Sequence, residues 1–136
     1  MILDNYKKEV EELHRFFVSW YTGALKNSDD QFCRFKDVMD DGVHFVGPDG
    51  SIADRNDLFN WIRESWASYS KGEFGIKIKN LKLLHETKES GLVTYEEWQN
   101  IKGKTVILIS TVMLRKTENA YNDLEWSHIH VTERKL

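Results

Sequence analysis

Two histidines spaced one residue apart, His128 and His130, stand in the last strand-like stretch of this 136-residue chain. Imidazole titrates near neutral pH, so such a pair is suited to proton transfer, metal binding or the polar wall of a pocket. Residues i and i+2 of a β-strand face the same way. Reading 124–133 as a regular strand therefore groups Trp126, His128, His130 and Thr132 on one side, and Ser127, Ile129 and Val131 on the other. A second polar stripe lies in Val93-Thr94-Tyr95-Glu96-Glu97-Trp98-Gln99, where Tyr95, Glu97 and Gln99 share a face opposite Glu96 and Trp98. A carboxylate inside an apolar sheet needs partners, because an unpaired buried charge is costly. This stripe is expected either to floor a pocket or to form a cross-strand network. His-x-His with Glu97 would make a two-histidine, one-carboxylate metal set, but only if Glu97 shared the histidine face; no metal or cofactor is expected.

The elements that must position these residues follow from periodicity. Tyr6, Val10, Leu13, Phe17, Trp20, Tyr21 and Ala24 recur at steps of three and four, predicting an amphipathic helix over 4–26. Asn27-Ser28-Asp29-Asp30 offers a break and a fresh N-cap for a short helix carrying Phe32, Phe35 and Met39. Val43–Val46 reads as a strand and Gly47-Pro48-Asp49-Gly50 as a turn, with Met39-Asp40-Asp41-Gly42 as a loop before them. Asp54 with Asp57 makes a capping-box start for a second long helix whose stripe is Leu58, Trp61, Ile62, Ser65, Trp66 and Tyr69, ending at Ser70-Lys71-Gly72. Thereafter the period becomes two. Strands are predicted at 74–86, 91–102, 104–116 and 121–132, joined by short connections as an antiparallel meander.

Length, 40% apolar residues and one proline fit one folded domain over 1–136. A net charge of −3 argues against a nucleic-acid or anionic-membrane surface. The one cysteine, Cys33, excludes an internal disulfide and a cysteine-cluster zinc site. The first residues lack the apolar core of a signal peptide, and no run reaches membrane-spanning length, so a cytoplasmic location is expected. Within 104–116, Thr105, Ile107, Ile109, Thr111 and Met113 oppose Val106, Leu108, Ser110, Val112 and Leu114: both faces are apolar. Helices can cover only one, so a homodimer through the sheets is expected to cover the other.

The order helix, short helix, hairpin, long helix, four-stranded meander resembles the nuclear transport factor 2-like superfamily over essentially the whole chain. Phe45-Val46-Gly47-Pro48-Asp49-Gly50, Val93–Gln99 and Trp126-Ser127-His128-Ile129-His130 resemble its SnoaL-like and ketosteroid isomerase-like branch. The His-x-His-x-Thr ending also resembles the last strand of the calcium/calmodulin-dependent kinase association domain. The resemblance implies an α+β, cone-like curved antiparallel sheet whose concave face is covered by N-terminal helices, with a pocket between. In that frame Trp20, Tyr21, Trp61, Tyr95, Thr111 and His128 are expected to touch a small apolar or aromatic ligand, although aromatics at helical spacing are also ordinary core. Three functions stay open. One is a small-molecule binder. Another is a cofactor-independent isomerase, cyclase or dehydratase using His130 as general acid or base with Glu97 or Tyr95 as partner. The third is an oligomerisation module.

Overall fold

The structure, a computed structural model, describes residues 2–135, with only the backbone of Ile2. Three helices, α1 (Ile2–Tyr21), α2 (Asp29–Lys36) and α3 (Arg55–Glu64), pack on one six-stranded sheet. Its strands are β1 (Met39–Val46), β2 (Ile52–Ala53), β3 (Phe74–Glu86), β4 (Ser90–Ile101), β5 (Lys104–Lys116) and β6 (Leu124–Arg134). They lie in the order β2-β1-β6-β5-β4-β3. The expected α+β architecture with a curved, helix-covered sheet is present. The sheet is mixed: β1 runs parallel to β6, and every other pair is antiparallel.

The helix α1 illustrates why packing decides. Most of the stability of a helix in a protein comes from packing of its amphipathic face rather than from propensity. The α1 stripe of Tyr6, Val10, Leu13, Phe16 and Trp20 is buried to 5% exposure or less, worth about 2 kcal/mol per side chain. The helix stops at Tyr21, short of the expected end, because Gly23 adopts φ 74° just beyond it. Its last carbonyls are not left bare: Ala67 N–H donates to Trp20 O and Tyr69 N–H to Tyr21 O, each at 3.0 Å. Those bonds also explain why α3 ends at Glu64 rather than near Ser70. The chain over Ser65–Tyr69 leaves the helix to close the end of α1. At its start α3 has the expected capping box between Asp54 and Asp57.

Two further departures shape the interior. Asp40 belongs to β1, not to a loop, with the pairing to β6 interrupted between Met39 and His44. Residues Tyr121–Asp123 form a 3-10 turn before β6 begins at Leu124. That turn is tied down by Glu9, a fully buried carboxylate on the inward side of α1. Glu9 accepts from both terminal nitrogens of Arg34, from Asn122 Nδ2 and from Trp126 Nε1. One charge thus joins α1, α2, the turn and β6.

The connection from β4 to β5 is two residues, Lys102 and Gly103, at φ 51° and 85°. Positive φ at both positions is the type I′ geometry that suits the twist of a hairpin. The register it sets places Val93, Tyr95, Glu97 and Gln99 opposite Val112, Ser110, Leu108 and Val106 on the concave side. No helix among the described residues is long and apolar enough to cross a membrane.

Candidate functional site

Between α1, α3 and the concave face of the sheet lies a half-open cavity of about 740 Å³. That is within the size range of small-molecule sites, roughly 300–1,000 Å³. Its body is apolar and aromatic: Leu13, Phe17 and Tyr21 from α1, Leu58, Trp61 and Ile62 from α3, and Phe74, Ile76, Leu108, Ile129 and Val131 from the strands. The rim is the turn Gly47-Pro48-Asp49 with Ser51, and the bend carrying Ser65, Ser68 and Tyr69.

One polar chain crosses this wall. His14 Nε2 lies 2.9 Å from Glu97 Oε1, and Gln99 Nε2 donates to Glu97 Oε2 at 2.6 Å. His14 Nδ1 lies 2.7 Å from the Val10 carbonyl, which only accepts, so Nδ1 carries a proton. The remaining choice is imidazolium with carboxylate, or imidazole with carboxylic acid. Burial acting alone lowers the pKa of His14, but Glu97, the Val10 carbonyl and Glu9 outweigh it and hold the imidazole above its usual 6.5. Burial likewise pushes Glu97 up, and His14 with Gln99 outweighs it, leaving the carboxyl below its usual 4.5. Both directions favour the ion pair. Edge-on contacts of the His14 ring with Phe17 and Tyr95, each at 5.4 Å between centroids, fix its orientation. Burial first, and the Glu97 charge second, push the phenols of Tyr95 and Tyr21 far above their ordinary range, so both remain neutral donors.

Of the residues singled out in the sequence, the structure brings Tyr21, Trp61, Tyr95 and Glu97 to this cavity. Trp61 stands at the mouth, 51% exposed, edge-on to Phe45. Trp20 does not reach it; the side chain is fully buried core, with Nε1 donating to the Ile62 carbonyl at 2.7 Å. Thr111, His128 and His130 are on the other side of the sheet altogether. Met113 pairs with His128 and Leu114 with Trp126, so Ser127 is an extra residue in β6. This bulge reverses the alternation. Trp126 points inward to Glu9, Ile129 and Val131 point into the cavity, and His128 and His130 are exposed on the convex face. The expectation that Trp126 shares a face with the histidines is therefore overturned, and with it the placing of His130 and His128 at the pocket. Glu97 and the two histidines lie on opposite faces, so the His-x-His-plus-Glu97 metal set does not converge.

His14 is the site residue that sequence reasoning passed over. Its signal was present: it lies four residues after Val10 and three before Phe17, on the inward stripe of α1, where an ionisable side chain demands a buried partner.

Known proteins share this chain's family and its fold. The family model described as Sucrose-6-phosphate phosphohydrolase C-terminal matches residues 6–135. Sucrose-phosphatase 1 of Nicotiana tabacum is 27% identical over 125 residues, covering 91% of this chain but 29% of that protein. The chain thus spans under a third of the length of the curated relative it matches. Among solved structures, an NTF-2-like protein of unknown function from Pseudomonas aeruginosa superposes with a TM-score of 0.86 at 21% identity, over 96% of this chain and 99% of that one. A CaMKII hub from S. rosetta superposes with a TM-score of 0.72 at 14% identity, over 96% and 95%. At such identities the likeness establishes the fold, which is nuclear transport factor 2-like, as the sequence resemblance implies.

Proposed function

This chain belongs to the Sucrose-6-phosphate phosphohydrolase C-terminal family, and from that premise we propose that it is a small-molecule binding module whose ligand enters the cavity between α1, α3 and the sheet. The observation that carries this reading is a cavity of about 740 Å³, largely apolar with several aromatic side chains, whose one buried charged pair is internally neutralised. Such a wall suits a ligand with flat or apolar faces and a few hydrogen-bonding groups.

The enzymatic alternative has less support. Both nitrogens of His14 already have protein partners. The pair is better suited to orienting a ligand than to exchanging protons with it.

Binding of a neutral solvatochromic dye, followed by the dye's own fluorescence, tests this reading. The dye is expected to bind the native chain and to be lost in Ile76→Trp, which fills the cavity from β3. Equal dye binding by both proteins would sink the cavity as the site.

Self-association remains a second element of the reading. The convex side of β5 presents Ile109, Thr111 and Met113, flanked by Leu92 of β4, while Ile107, paired with Trp98, is already buried. In part the face is self-covered: Lys79 lies over the Trp98 ring at 3.9 Å, and Arg134 reaches Glu96 at 3.2 Å. The remaining half-buried apolar strip is the surface on which a second copy would pack.

A further inference from the structure

The charge around the cavity is one-sided. Among the described residues no lysine or arginine lines it; its ionisable acidic and basic side chains are His14, Glu97 and Asp49. His14 and Glu97 cancel, which leaves the carboxylate of Asp49 at the rim. The arginines of the neighbouring helices α2 and α3 are engaged elsewhere. Arg34 binds Glu9, Arg55 donates to the Met39 carbonyl, and Arg63 pairs with Asp29. Nor does α3 offer its N-terminus to an anion. Asp54 and Asp57 cap it reciprocally, so two carboxylates occupy the positive end of the helix. A phosphate dianion entering here would give up its hydration without gaining a counter-charge.

The same wall is well furnished for hydroxyl groups. Each oxygen of Glu97 takes one protein donor, and a carboxylate has about four acceptor sites. Ser65, Ser68, Tyr69 and Gln99 add hydroxyl and amide groups at the cavity edge. Resting on the reading of this cavity as a ligand site, we propose that it selects an uncharged, polyhydroxylated ring compound, a free sugar, and excludes the phosphate ester of that sugar. The C–H faces of the sugar would pack on the aromatic wall while its hydroxyls donate to Glu97. In a relative named for a sugar phosphatase, such a ligand stands on the product side of a phosphate-monoester hydrolysis.

Isothermal titration of the whole chain with sucrose and with sucrose 6-phosphate, at neutral pH and low salt, tests the selection. Sucrose is expected to bind, and the ester to bind at least roughly tenfold more weakly, since like charge is repelled and no cation compensates. Ser68→Arg, which adds a cation at an exposed rim position, should narrow or reverse that ratio. Equal or tighter binding of the ester by the native chain overturns the proposal, as does a ratio left unchanged by Ser68→Arg. If neither compound binds while the neutral dye still does, the sugar class is wrong and the cavity reading survives. If the dye fails too, the cavity reading falls with it.

Discussion

Replacing His14 by phenylalanine removes one partner of the buried pair while keeping an aromatic ring between Phe17 and Tyr95. The side chains of His14 and Glu97 are only 7% and 12% exposed. An uncompensated carboxylate at such a site costs about 3–5 kcal/mol. For a chain of this size that corresponds to a fall in Tm on the order of 10 °C. The pH dependence is more diagnostic than the magnitude. In the native chain the pKa of His14 is raised, so its contribution is complete below 6.5 and is lost as pH climbs through the folded value. The pKa of Glu97 is lowered, so its contribution is present above 4.5 and is lost as pH falls through the folded value. Between 4.5 and 6.5 the contribution of the pair is therefore level. In His14→Phe the cation is gone, and burial, the largest influence on Glu97, raises its pKa instead. The variant should gain stability as pH is lowered across that same window, where the native contribution does not change. Urea denaturation at several pH values reads both quantities. The double variant His14→Phe/Glu97→Leu should recover most of the loss, because an apolar pair replaces the ions. A single variant as stable as the native chain at neutral pH, or one with no recovery on acidification, would refute the buried ion pair.

Two further outcomes concern the rest of the sheet. A Cβ at Gly91 would come within 2.5 Å of the Tyr6 ring and hydroxyl, so Gly91→Ala should destabilise by about 1–3 kcal/mol, read as a lower urea midpoint at unchanged m-value. Ile109→Glu on the convex strip should abolish self-association in sedimentation equilibrium without altering dye binding, whereas a native chain that is monomeric at high concentration removes the dimer from the reading.

The long-period features of this protein are legible in its sequence. The strands expected at 74–86 and 104–116 match the bounds of β3 and β5, although register shifts between Lys79 and Lys82 and between Leu83 and His85 break the alternation of β3, and Tyr95, Glu97 and Gln99 share the inner face as their spacing requires. The Asp54–Asp57 cap is equally local: four consecutive residues contain both donors and both acceptors. Resemblance in the order of these elements suffices for the fold, while the particular family emerged only on comparison with known proteins.

What local pattern does not contain is the inserted residue in β6. Counting by twos places Trp126 with His128 and His130, and that count is right for any strand without a bulge. Tertiary structure selects the bulge because it satisfies two distant demands at once. The Trp126 indole reaches the buried Glu9 of α1 at 2.9 Å, while Ile129 and Val131 still face the cavity. One residue of slip turns the most suggestive side chains of the sequence outward. The partner of Glu97 was decided in the same way. Eighty-three positions separate it from His14, and only the packing of α1 across the sheet brings their charges to 2.9 Å. Sequence alone determined that a polar stripe must exist and must be partnered; the fold alone determined by what.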